Sequence, residues 1–142
     1  MQPLKKIKFI VIHHCQRDVD SPKEIKKRHL ARGFEDIGYH YLIGKKGKLY
    51  KVRNEKFQGA HVFKHNKNSI GICLIGNLDK KLPTKKQIQT LIKFLKNKTK
   101  KLKIPVKNIL GHKEFPNVIK TCPGKFLDLN EIRNKTQQIP NI

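Results

Sequence analysis

Tryptophan is absent from this sequence and methionine occurs once. Acidic residues are scarce: Asp plus Glu number 10, against 33 Lys plus Arg in 142 residues. The formal net charge of +23 draws such a chain to polyanions, whether nucleic acid, anionic lipid or an anionic cell wall. Most of the cations are Lys, a hydrated point charge, and few are the Arg that reads bases and phosphates bidentately. The excess therefore points to non-specific attraction and away from sequence reading. Cysteine is sparse and odd in number. Cys15, Cys73 and Cys122 lie far apart and make a poor disulfide framework, so the chain reads as made in a reducing cytosol. No apolar run is long enough to span a membrane: Phe9 to Ile12 is much too short, and no signal-peptide core or cleavage site follows it. The expectation is cytoplasmic synthesis without a signal peptide. No repeat or low-complexity linker divides the chain, which reads as one domain over 1–142 and as a monomer.

Hydrophobic residues at 37% suffice for a modest core. Ile7 to Ile12 is β-rich and almost continuously apolar, the pattern of a strand buried on both faces. Ser21-Pro22-Lys23-Glu24 carries a cap, a first-turn proline and a capping-box Glu, predicting a helix to about Arg32 that Gly33 stops. Tyr39 to Ile43 and Lys48 to Val52 flank Gly44-Lys-Lys-Gly47 as a hairpin. Ile70 to Ile75 is a further strand. Thr84, with Gln87 three residues on, opens a second helix whose apolar stripe is Ile88, Leu91, Ile92 and Leu95. Asn108 to Gly111 reads as a short strand and Asp128 to Lys135 as a last helix. Strands alternating with helices, plus one hairpin, predict an α/β domain with a central mixed sheet flanked by helices.

Seven histidines invite a search for a metal site. His13 and His14 end the first strand, His112 follows Gly111, and Cys122 lies between Thr121 and Pro123. Two His and one Cys at strand ends suit zinc, whose catalytic sites use three protein ligands and one open position. Spacing alone says little, because no HExxH or paired CxxC is present. Each His taken singly reads as a surface or core residue, and Cys122 as a buried thiol. His13 and His14 alternate faces on a strand, so only one of them can easily point at a metal. Pro123 biases Cys122 to an extended backbone, in which Lys120 and Cys122 share a side. Lys120 could there stabilise an oxyanion. In a chain so rich in Lys, a solvated side chain is the simpler reading of that residue.

Five segments, in order, resemble the type-2 N-acetylmuramoyl-L-alanine amidases, a family that includes peptidoglycan-recognition proteins and the zinc amidase lysozymes of T-odd coliphages. They are Phe9-Ile-Val-Ile-His-His14, Gly33 to Tyr41 (GFEDIGYHY), Gly59-Ala-His61, Asn68 to Gly76 (NSIGICLIG), and Gly111-His112 through Lys120-Thr-Cys-Pro-Gly124. Together they span roughly residues 7 to 130. The phage branch is the nearest likeness, because Cys73 stands where other branches carry Glu.

The resemblance implies a zinc at the floor of a groove and hydrolysis of the amide joining N-acetylmuramic acid to L-Ala. It implies His13, His112 and Cys122 as zinc ligands, Tyr39 and Lys120 as catalytic residues, and His61 as a groove residue that contacts substrate; a surface-loop His reads equally well there. Glu114 is implied to orient the ligand His112. With no carboxylate at position 73, general-base duty falls to the metal site assisted by Tyr39. Cys15 reads as an adventitious ligand or, in preference, a small buried residue, and His29, His40 and His65 read as structural. The implied partners are peptidoglycan and, through the Lys surface, anionic cell-wall polymers. Two other classes compete: a peptidoglycan-binding module without catalysis, and a basic nucleic-acid- or polymerase-binding protein. Retention of Cys122 argues against the first, and the absence of a visible nucleic-acid motif against the second.

Overall fold

A computed structural model describes residues 1–116 and 118–138. Eight principal elements follow one another: β1 (Phe9–His14), α1 (Pro22–Ala31), β2 (Tyr41–Ile43), β3 (Leu49–Lys51), β4 (Ser69–Leu74), α2 (Lys85–Leu102), β5 (Ile109–Gly111) and α3 (Leu129–Gln137). The five strands form one sheet in the order β3-β2-β4-β1-β5. β1 pairs in parallel with β4 and β5, β2 pairs in parallel with β4, and β3 alone is antiparallel, so the sheet is mixed. The α/β fold expected from the pattern is the one found. Residues 139–142, the tail of the expected domain over 1–142, lie outside the described residues.

β1 is interior because it has no polar face to turn to water: Ile10, Val11 and Ile12 are fully buried between two parallel neighbours. The hairpin turn closes with Gly47 N–H donating to Gly44 O at 2.9 Å, and Gly47 takes φ +88°, where a Cβ is disfavoured. β2 begins at Tyr41, two residues later than the sequence suggests, because His40 uses its side chain as well as its backbone to bond the chain around it. α1 starts on Ser21, whose Oγ accepts from Glu24 N–H at 3.2 Å. α2 starts on a full capping box: Thr84 Oγ1 accepts from Gln87 N–H at 3.1 Å, and Gln87 Oε1 accepts from Thr84 N–H at 3.0 Å.

The two faces of the sheet serve different ends. Ile10, Ile12, Ile70, Ile72 and Leu74 pack on one side with Leu91, Phe94 and Leu95 of α2 and Leu129 and Ile132 of α3. Each such fully buried Leu or Ile stabilises the fold by ~1.5–3 kcal/mol. On the other side, Val11 packs with Val62 and Phe115, and Leu42 and Cys73 pack with Ile25 of α1. Side chains alternate along β1, so His13 belongs to this second face and His14 to the first. Within a mostly parallel sheet, the carboxyl ends of the strands leave a crevice where ligands bind. β1 and β5 end there, at His14 and Gly111.

Candidate metal centre and cleft

Three elements bring three donors to one point. β1 delivers His13, the turn after β5 delivers His112, and the loop before α3 delivers Cys122. Their ligand atoms all lie within 4.8 Å of one another, and among the described residues this is the group of His, Cys, Asp or Glu side chains so arranged. Cys122 Sγ is 3.6 Å from His13 Nδ1. Zinc bonds of about 2.3 Å to sulfur and about 2.05 Å to nitrogen, set at the tetrahedral angle, separate the two donors by about 3.6 Å. The donor set thus fits zinc in its chemistry, and the Cys122–His13 pair fits it in spacing. The Cys122–Pro123 bond is cis. Lys113 N–H donates to Cys122 O at 2.7 Å, tying the two ligand-bearing segments together.

Behind His13 runs a chain of hydrogen bonds. If Nδ1 faces the metal position, Nε2–H donates to His61 Nδ1 at 2.9 Å. His61 Nε2–H then donates to Ser69 Oγ at 3.3 Å, and the Ser69 hydroxyl donates to His65 O at 2.7 Å. His61, read as a groove residue, does line the cleft, but its ring is mostly buried and both nitrogens are engaged, so the geometry joins it to His13 in an orienting role. The backbone makes room for it: a Cβ on Gly71 would sit 2.7 Å from the His61 ring. Glu114 departs from its expected role. Its carboxylate accepts from Gly111 N–H at 2.9 Å and pairs with Arg133 of α3 at 2.7 Å, so it braces the backbone before His112 and leaves the imidazole alone.

His14 points to the opposite face. Its Nδ1 accepts from Leu78 N–H at 3.0 Å, and its Nε2 lies 4.0 Å from Asp79 Oδ2. Asp79 went unnoticed in the sequence. It accepts from Thr121 Oγ1–H at 2.7 Å and from Lys125 N–H at 3.0 Å, clamping the loop that carries Cys122 from both sides. No periodicity or motif marks it, because its partners lie 42 and 46 residues away.

A cleft of about 720 Å³ opens over these donors. That is the size of a small-ligand site. Tyr39 and Lys120 both line it, as do Arg28 of α1, Arg32 just after that helix, and the exposed side chains of Phe63 and Ile119. The Tyr39 ring lies 5.0 Å from that of His13 and 5.4 Å from that of His29. His29, read as structural, accepts from Gly38 N–H at 2.8 Å and so holds the turn that presents Tyr39. Cys15 is half-buried at the cleft edge, where its Sγ accepts from Gly76 N–H at 3.2 Å.

Burial controls the protonation of these groups. It lowers the pKa of His13 well below the ordinary histidine value, and neighbouring His61 and His112 lower it further. His112 is lowered by burial and by the Lys120 charge. Both imidazoles are therefore neutral and able to ligate. Burial pushes the Cys122 thiol up to about 12, opposed by the hydrogen bond from His14 N–H and by the charge of Lys120. A dication reverses that balance, since a coordinating thiol is deprotonated outright. Burial likewise holds the Tyr39 phenol well above its usual value, aided by the nearby cysteines.

The profile of the N-acetylmuramoyl-L-alanine amidase family matches residues 3–125. The chain belongs to this family. The amidase LysC from Clostridium intestinale superposes with a TM-score of 0.86 at 31% identity, covering 94% of this chain and 89% of that one. A peptidoglycan-recognition protein of Drosophila simulans is 30% identical over 139 residues, 89% of this chain and 73% of the relative. The endolysin of Escherichia phage T7 is 41% identical over 72 residues, 48% of either chain. The chain thus has both recognition proteins and phage endolysins among its relatives, as the five segments imply, and it shares their mixed-sheet fold. Among its described residues no helix is long and apolar enough to cross a membrane.

Proposed function

We propose that this amidase hydrolyses the amide between the lactyl group of N-acetylmuramic acid and the L-alanine of the stem peptide, with a zinc ion held by His13, His112 and Cys122. The observation that carries the reading is the convergence of those three donors within 4.8 Å at the floor of a cleft that Tyr39 and Lys120 also line. The name of the relative LysC, an N-acetylmuramoyl-L-alanine amidase, supports the choice of bond. When bound, zinc supplies Lewis acidity and lowers the pKa of water at the open position.

The chain's own residues do the rest. The two imidazoles offer neutral nitrogens because burial keeps protons off them. His61 fixes the ring of His13 and the tautomer it uses. Tyr39 stays protonated at neutral pH and donates a hydrogen bond to the polarised carbonyl. Lys120 places a cation where negative charge grows on the attacked oxygen, an interaction stronger in the transition state than in the ground state.

The test is incubation of the purified protein with purified peptidoglycan, with and without a chelator, followed by mass analysis of the released ends. New L-alanine amino termini that vanish on chelation are the expected result. A second reading, recognition without hydrolysis, is favoured by the recognition proteins among the relatives and disfavoured by the presence of Cys122. Tight binding with no new ends would establish it in place of the first.

A further inference from the structure

We propose that the outward face of α2 is a docking surface for a phosphodiester polymer of the cell wall, placed on the side of the sheet away from the cleft. α2 runs for 18 residues with seven lysines and no acidic residue. At 3.6 residues per turn, Lys85, Lys86, Lys93, Lys96 and Lys100 fall within an arc of about 100°. Lys85, Lys86, Lys93 and Lys100 are exposed and Lys96 is half-buried. The stripe is about 22 Å long, at 1.5 Å per residue. Lys103, which ends the helix, prolongs it and is exposed.

A merely solvated helix face interleaves Glu with Lys, because like charges three or four residues apart destabilise a helix. Here Lys93 with Lys96, and Lys96 with Lys100, repel without relief. The lysines that pair with carboxylates among the described residues are Lys26, Lys45, Lys81, Lys98 and Lys135, none of them in the stripe. α2 tolerates this because its other face is locked into the core by Leu91, Phe94 and Leu95. A bound polyanion would relieve the repulsion along the whole stripe.

The chemistry of the face selects among polyanions. An anionic membrane needs an apolar face to insert, and that of α2 is already buried. Single-stranded nucleic acid is held by aromatic stacking and sequence-specific duplex readers use Arg, and the stripe has neither, so a nucleic acid would gain here only the phosphate attraction that any phosphodiester offers. The stripe thus offers contacts to phosphates and none to bases, which suits a flexible polymer of regularly spaced phosphates. The choice of a wall polymer as its source rests on the peptidoglycan reading above. α2 packs on the face of the sheet that carries Ile10 and Ile12, opposite His13, so a polymer on the stripe leaves the cleft open. Such docking holds the protein on the wall while the cleft engages the glycan strand and its peptides.

The experiment compares wild type with Lys93→Gln/Lys96→Gln/Lys100→Gln, which removes three charges far from the cleft. Binding is measured across a salt series to intact walls, to walls stripped of phosphodiester polymers by acid, to soluble polyglycerol phosphate and to duplex DNA. The triple variant should bind intact walls and polyglycerol phosphate about tenfold more weakly at low salt. Its log–log salt slope should be shallower by roughly 2, from about 0.7 per charge. Wild type and variant should bind stripped walls alike and cleave a soluble muropeptide at equal rates. Equal binding of the two proteins to intact walls would overturn the proposal, as would wild-type binding to stripped walls at full strength. A variant that loses DNA binding while keeping its hold on walls would overturn it in favour of nucleic acid. If wild type cleaves no muropeptide, the amidase reading falls while the binding comparisons still judge this one.

Discussion

His13 carries the most connections in the site. One nitrogen faces Cys122 and the other enters the chain through His61 and Ser69, so the ring cannot rotate without breaking a buried hydrogen bond. His13→Ala should therefore abolish zinc retention, measured by elemental analysis after dialysis. His14→Ala, which alters the opposite face, should retain about one zinc per chain; the reverse outcome would exchange their roles. His61→Ala should keep all three ligands yet weaken zinc binding ~10–100-fold in a chelator competition, the usual cost of losing a group that orients a ligand His. Lys120→Ala should bind zinc and peptidoglycan normally and turn over ~100–1000-fold more slowly. Lys107→Ala, exposed and outside the cleft, is the matched control for that assay; near-normal turnover in Lys120→Ala would return Lys120 to the solvated lysines.

The strands and loops around the site are held by close backbone approach. Gly71 on β4 and Gly111 on β5 sit where a Cβ would meet the His61 ring at 2.7 Å and Leu129 Cδ1 at 2.5 Å. Gly71→Ala should cost ~1–3 kcal/mol by overpacking. It should also weaken zinc binding, because the ring it displaces is the one that orients His13. Urea unfolding and chelator competition on the same variant check the two effects, and unchanged zinc affinity would uncouple His61 from the metal position. At the other end of the molecule, Thr84→Ala removes the cap of α2 and should cost ~1 kcal/mol with no change in zinc affinity.

Over the whole molecule, buried neutral histidines make stability depend on pH. His29 has its pKa lowered to about 4, by burial and then by Arg32, Arg28 and Arg53. His40 is lowered by burial. Above about pH 6.5 these rings are neutral in both folded and unfolded chains and contribute nothing. Below it the unfolded chain takes up protons that the folded chain refuses, so stability falls as pH falls. Each such ring contributes up to about 1.4 kcal/mol per pH unit until its folded pKa is reached, near 4 for His29. Urea midpoints of the metal-free protein should drop between pH 7 and pH 5. His29→Gln should flatten the drop, and an identical slope in that variant would remove His29 from the account.

Periodicity and capping chemistry are local, which is why the elements could be read from the chain alone. The capping box at Thr84, the hairpin glycines and the apolar run of β1 each act within a few residues; the first two appear where the sequence puts them, and β1 runs Phe9–His14, two residues later than Ile7 to Ile12. The alternation of side chains on β1 already says that His13 and His14 face opposite ways. Which of them turns toward Cys122 depends on which face receives α2, and that is decided by packing across the sheet. His61 shows the same limit. Its position invites a substrate role, and only the approach of β1 and β4 beneath it reveals that both nitrogens are taken. Glu114 is drawn off by Arg133, 19 residues on, and Asp79 grips a loop more than 40 residues away. Hydrogen bonds between distant segments leave no period in the sequence, because they form only after the hydrophobic faces have chosen their partners.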